Sequence, residues 1–181
     1  MILKQQQLVE QWLDDVVIGL NLCPFAAKPR QNNQVRFKVC QALTPEVLVA
    51  DLFDELNFMA QSEASEVETS LLIIPDMLLN FDDYNEFLDI ADGLIIDNDW
   101  EGIFQIASFH PDYCFAETAT DSVENLTNRA PYPILHILRE DSLSKALENI
   151  ASPDDVYKRN INTMNQLSSE KIRNLFPHLT Q

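Results

Sequence analysis

A chain of 181 residues, 46% of them apolar, is long enough for one domain with a true core, expected over residues 1–181. Its 29 acidic against 12 basic side chains give a formal charge of −17, which argues against nucleic acid and against anionic membranes as partners. Only 3 glycines and 9 prolines rule out fibrous repeats and low-complexity disorder.

The chain opens with a helix expected from Gln5 to Leu20. Leu8, Val9, Trp12, Leu13, Val16, Val17 and Leu20 recur at helical spacing. This segment is not a signal peptide, because Lys4 is its only base and Glu10, Asp14 and Asp15 interrupt the apolar run. Gly19 and Asn21 are the expected terminators, and Pro24 prevents continuation. Asn32-Asn33 marks a turn. Val35 to Val39 alternates strictly and predicts a half-buried strand whose outer face carries Arg36 and Lys38.

Thr44-Pro45-Glu46 starts the next helix, with Thr44 as cap and Leu48, Leu52, Leu56 and Met59 as its apolar face. Gln61 to Glu68 is a polar break. Thr69 to Ile74 is a continuous apolar run, the mark of a central strand buried on both faces. Leu79 to Leu94 predicts a helix with Tyr84, Phe87, Leu88 and Ala91 in one stripe. Asp97-Asn98-Asp99 and Gly102 turn the chain into a third strand, Ile103 to Phe109. A short helix over Ala119 to Leu126, capped by Thr118 or Thr120, precedes a fourth strand from Ile134 to Leu138. Helices follow over Ser142 to Ile150, Asp154 to Leu167 (started by Ser152-Pro153) and Ser168 to Phe176. The alternation predicts an α/β (or α+β) fold, a single sheet of about four strands, mixed or parallel, packed by helices. The helices from Gln5, Thr44 and Leu79 are expected to cover it.

Two apolar strands thus bracket the segment from Ile103 to Glu140, which is dense in groups that bind ligands or move protons. His110 leaves the end of a strand, where α/β folds present ligand-facing groups, and an imidazole there is suited to acid–base work. Arg129 stands between Asn128 and the rigid Pro131-Tyr132-Pro133 stretch. Its planar fork fits a carboxylate or phosphate, with Asn128 and Tyr132 as neutral donors; the alternative is a salt bridge to one of the many acids. If Ile134 to Leu138 is a strand, His136 and Arg139 point to opposite faces; if it is a helix, His136, Arg139 and Glu140 share one. Arg139 and Glu140 at the strand end orient a ligand or each other. Cys23 follows the first helix and becomes a nucleophile only if folding brings it an imidazole; otherwise it is a small buried apolar residue. Cys23, Cys40 and Cys114 are odd in number and far apart, which predicts reduced thiols and a cytoplasmic setting. His110-x3-Cys114 is too little for a metal site, and no phosphate-binding glycine motif occurs, so neither metal nor cofactor is expected.

Three motifs carry a family resemblance: Asn21-Leu22-Cys23-Pro24-Phe25-Ala26; Phe109-His110-Pro111-x-Tyr113-x-Phe115-Ala116; and Asn128-Arg129-x-Pro131-Tyr132-Pro133-x-Leu135-His136-x-Leu138-Arg139-Glu140. With them the chain resembles the uncharacterised bacterial proteins grouped as family 1415 of the domains of unknown function. The resemblance covers nearly the whole chain. It implies a shared fold and a shared set of motif residues, Asn21 among them, and names no activity, cofactor or catalytic residue.

The expected function is that of a small cytosolic enzyme using acid–base chemistry on an anionic small molecule. His110, His136 and Cys23 are its catalytic candidates. Asn21, Asn128, Arg129, Tyr132, Arg139 and Glu140 are its binding candidates, with Arg129 and His110 lining one cleft. The alternative is a non-catalytic ligand-binding or protein-interaction module. A homodimer is the default for self-association.

Overall fold

The computed structural model describes residues 2–147 and 153–180. Its centre is a four-stranded sheet in the order β1 (Val35–Val39), β2 (Thr69–Ile73), β4 (Ile134–Arg139), β3 (Phe104–Phe109). β1 and β2 are parallel, while β4 runs antiparallel to both β2 and β3. The sheet is therefore mixed. One end of it gathers the C-terminal ends of β1, β2 and β3 together with the entry to β4. The opposite end gathers the starts of those three strands and the exit of β4.

Strand parity decides which residue meets which layer. Leu72, Ile74, Leu135, Ile137 and Phe104 pack against α3 (Pro45–Gln61) and α4 (Phe81–Asp97). Leu71, Ile73 and Ile134 pack on the other face, against α1 (Ile2–Trp12) and its continuation, with Met164 of α6 (Pro153–Asn165) and Phe176 just past α7 (Ser169–Leu175). All five residues of β2 are buried, as a strand covered on both sides requires. Asn80 caps α4 by accepting from the Asp82 and Asp83 amides at 2.8 and 3.3 Å, so the helix starts slightly later than Leu79 and runs past Leu94 to Asp97.

Several local expectations need correction. The first helix turns π-helical from Leu13 to Ile18, where the Gly19 amide reaches back to the Asp14 carbonyl at 2.9 Å. A short helix, α2 (Ala27–Gln31), precedes the turn at Asn33, whose φ is 56°. Arg30 pins α2 to the first helix through two 2.8 Å bonds to Asp14 and a third to Glu10. β1 is half-buried along its length, and on its basic face the partly exposed Arg36 meets α3, 2.6 Å from the buried Glu55 carboxylate and over the Phe58 ring. Thr44 occupies the cap position of α3, but its hydroxyl makes no capping bond to the backbone.

The Ala119 to Leu126 helix is replaced by a 3-10 turn, Val123–Thr127, with Ser122 at its cap position rather than Thr118 or Thr120. The cause is Asn125, fully buried, whose side chain takes the Phe115 amide and the Thr118 hydroxyl and gives to the Ala119 carbonyl. Those bonds hold residues 115–119 as a loop. After β4, α5 (Glu140–Leu147) follows without a break, two residues earlier than Ser142. The expected helix end at Ile150 and the start at Ser152 lie outside the described residues. Among the described residues no helix is long and apolar enough to cross a membrane.

Candidate functional site

The predicted site residues separate to the two ends of β4, a six-residue strand that spans roughly 20 Å. At the entry end stand His110, Asn128, Arg129 and Tyr132. His110 is fully buried, with its ring between Phe81 and Tyr84 at 5.4 and 5.2 Å. Its Nδ1 accepts the Asp112 amide at 2.9 Å, which leaves the proton on Nε2, donated to the Leu78 carbonyl at 3.0 Å. Burial lowers its pKa below the ordinary histidine value, with the Leu78 carbonyl partly opposing. Both ring nitrogens are engaged by backbone, so neither is free for a substrate.

Arg129 closes over the loop that follows His110. Its Nε donates to the Tyr113 carbonyl at 3.2 Å and its Nη2 to the Thr120 carbonyl at 2.6 Å. Its own carbonyl accepts the Trp12 indole at 2.9 Å. Asn128 gives to the Ser108 carbonyl and receives the Thr127 hydroxyl. Tyr132 packs half-buried against the α1-side core. The expected shared cleft of His110 and Arg129 is therefore corrected: neither lines either of the two clefts described below. The Pro-braced segment instead ties β3, β4 and the 110–120 loop together, a task for which rigid backbone and a forked donor serve equally well.

At the exit end a cleft of about 640 Å³ opens on the α1 side of the sheet, between α2, the start of β2, the end of β4 and α5. His136 and Cys23 both line it. His136 points to this face, as the parity of a strand requires, while Arg139 points to the other. The Arg139 guanidinium donates to the Met59, Ser62 and Val67 carbonyls at 2.7 to 3.3 Å, closing the C-terminal end of α3. It borders the cleft with its charge already committed. Glu140 starts α5, its amide bonded to the Ile103 carbonyl. Asn21 takes a left-handed φ of 54° at the exit of the π-helical segment, an asparagine-tolerant position. Its carbonyl receives Arg159.

The hydrogen bonds around His136 fix its tautomer. The Thr69 hydroxyl gives its one proton to the Ile137 carbonyl at 2.7 Å. It can therefore only accept from His136 Nε2, 2.7 Å away. The ring proton sits on Nε2, and Nδ1 carries a lone pair with no partner among the described residues. Desolvation pushes the His136 pKa down to about 4, so the imidazole is neutral at physiological pH.

Cys23 is partly buried in the loop after Leu22, and burial raises its thiol pKa, against smaller opposing effects from the Phe25 and Ala26 backbone and from Arg159. It lies on the wall between the large cleft and a second one of about 250 Å³, bounded by Phe109, Asn128, Tyr157 and Asn160. Among the described residues the Asn160 Oδ1 atom is buried without a partner, although its amide nitrogen holds the Leu22 carbonyl. Among the described residues no group of three or more His, Cys, Asp and Glu side chains gathers to hold a metal.

Thr69, Lys28, Lys145 and Glu68 complete the large cleft, and none of them was singled out from sequence. Thr69 did carry a signal: with Ser70 it puts hydroxyls at the start of a strand that is apolar from Leu71 to Ile73. The lysines carried none, because they come from α2 and α5, 117 positions apart in the chain.

The chain matches the family described as Protein of unknown function (DUF1415) over residues 4–174. It belongs to that family. In this DUF1415 chain the motif residues and the cleft overlap at Cys23, Pro24, Phe25, Ala26, His136, Leu138 and Arg139. Neither the curated proteins nor the solved structures contain a match to it.

Proposed function

We propose that this protein is a small cytosolic enzyme that performs acid–base chemistry on an anionic small molecule in the exit-end cleft, with His136 as the base. One observation carries the reading: the His136 imidazole is neutral, tautomer-fixed through Thr69 and the Ile137 carbonyl, and holds an unshared lone pair on a ring that lines a cavity. A base must be positioned before it is tuned, and this one is positioned by two strands of the same sheet. Charge supports the choice of ligand. A chain with 29 acids and 12 bases lines this cleft with Lys28 and Lys145 against Glu68 alone, inverting the balance of the whole molecule.

A pKa of about 4 makes His136 fully available but weakly basic. An anion bound beside it raises that value toward the working range, so basicity is gained when substrate arrives. The same low basicity favours the second reading, a binding protein in which Nδ1 simply accepts a hydrogen bond from its ligand.

The test is turnover of pooled carboxylate and phosphate metabolites in D2O, followed by mass spectrometry and proton NMR. Wild-type protein is expected to exchange or convert at least one compound. His136→Gln is expected to lose this by 100-fold or more (on the order of a general base's contribution) while keeping its thermal midpoint. Unchanged turnover in the variant ends the enzyme reading; binding without turnover in either protein leaves the binding module.

A further inference from the structure

We infer that the ligand of the exit-end cleft is an amphipathic anion, a single carboxylate or phosphate head on an apolar body, rather than a small polar metabolite. This rests on the reading of the cleft as an anion site and adds what the anion is attached to.

The argument starts from what lines the cavity. Phe25 and Pro29 form one wall, on the loop before α2 and in α2 itself; Leu138 and Leu143 form the floor and far side, from β4 and the first turns of α5. All four are half-buried, so each presents apolar surface that neither core takes up fully. A wholly polar metabolite would leave this apolar surface without apolar contacts, whereas an apolar body would cover it. A volume of about 640 Å³ also exceeds what acetate or phosphate would fill and falls in the range of sites for drug-sized ligands.

The charges sit where a head group would. Lys28 and Lys145 are exposed at the rim, on α2 and α5, and among the described residues neither makes an ion pair. Glu68 also borders the cleft and opposes them, which leaves net positive charge at the mouth. Lysine gives point charge without a fork, so a single compact head is recognised by charge and the body by burial. His136 lies inward of these lysines on the sheet, where Nδ1 meets the first polar atoms behind the head or the head itself.

Calorimetric titration with a homologous series tests this. The series is butanoate, hexanoate, octanoate and decanoate, with octyl phosphate, octanol and inorganic phosphate beside it, on wild-type protein and on His136→Gln. Affinity is expected to rise about threefold to fourfold per methylene until the cavity is full. Octyl phosphate is expected to bind comparably to octanoate, and Lys28→Gln combined with Lys145→Gln to weaken both by roughly tenfold. Binding that survives in His136→Gln supports the inference independently of catalysis. A flat series, with inorganic phosphate as tight as octanoate, overturns it while sparing the anion reading. Octanol as tight as octanoate overturns the anionic head, and no binding of any probe overturns both.

Discussion

Histidine residues in this protein divide by what their second nitrogen does. His110 has both nitrogens bonded to backbone and braces a loop; His136 has one bonded and one free. The distinction makes Thr69 the residue to perturb. Thr69→Val keeps shape but removes the acceptor for Nε2–H, and should cost about 1–2 kcal/mol. Nitrogen-15 NMR of the ring is expected to show one tautomer in wild type, a mixture in Thr69→Val, and recovery in Thr69→Ser. A wild-type mixture would sink the tautomer lock. His178 gives a second test. Among the described residues its Nε2 is buried without a partner, and desolvation, aided by the Arg129 charge and opposed by Asp112, pushes its pKa down to about 4. The folded value lies below the unfolded one near 6.5, so the unfolded chain takes the proton first and stability falls as pH drops from 6.5 toward 4. His178→Leu removes that penalty. Relative to wild type it should gain about 1–2 kcal/mol between pH 7.5 and pH 5, a rise of several degrees in relative thermal midpoint. A gap that does not move with pH refutes the assignment.

Among the elements, the first helix depends on a single small residue. A Cβ at Gly19 would stand 2.3 Å from the Asp15 carbonyl oxygen, because the wider π turn brings that carbonyl round to it. Alanine normally gains about 1 kcal/mol over glycine in a helix, but a backbone clash of this depth outweighs the gain. Gly19→Ala should therefore lower stability by roughly 2 kcal/mol in urea unfolding; a stabilised variant would mean that the turn relaxes to α geometry. The periodicity of Val9, Trp12, Leu13 and Val16 made this helix legible, because period alone needs only local sequence. The π widening was not legible, since it answers to Glu10 and Asp14 meeting Arg30 and to Leu22 reaching the core. The 3-10 turn at Val123–Thr127 was hidden for a similar reason: nothing local to Asn125 announces that its side chain will be fully buried.

For the molecule as a whole, the four strands were readable and the pairing was not. Thr69 to Ile74 and Ile134 to Leu138 look alike as apolar runs, yet they meet antiparallel, and only long-range packing chooses that direction. The expectation that chemistry gathers at the carboxyl ends of parallel strands led to His110, whereas the large cleft lies at the opposite end, where β4 leaves the sheet. Cys23, His136 and Arg139 were legible as chemistry-bearing residues, but the guanidinium of Arg139 went to the end of α3, a role no spacing rule reveals. The placement of β4 has a consequence for genetics. Its two ends make different contacts, backbone carbonyls held by Arg129 and an imidazole on the cleft at His136, with no shared hydrogen-bond partner. Mutations at sites this separate combine additively. Arg129→Met should lower stability by about 1–3 kcal/mol and leave turnover in the cleft intact, and His136→Gln should lower turnover and leave stability intact. The double variant should show both losses with a coupling energy within about 0.5 kcal/mol of zero. One stretch of sequence that reads as a single motif would then behave, under mutation, as two independent traits.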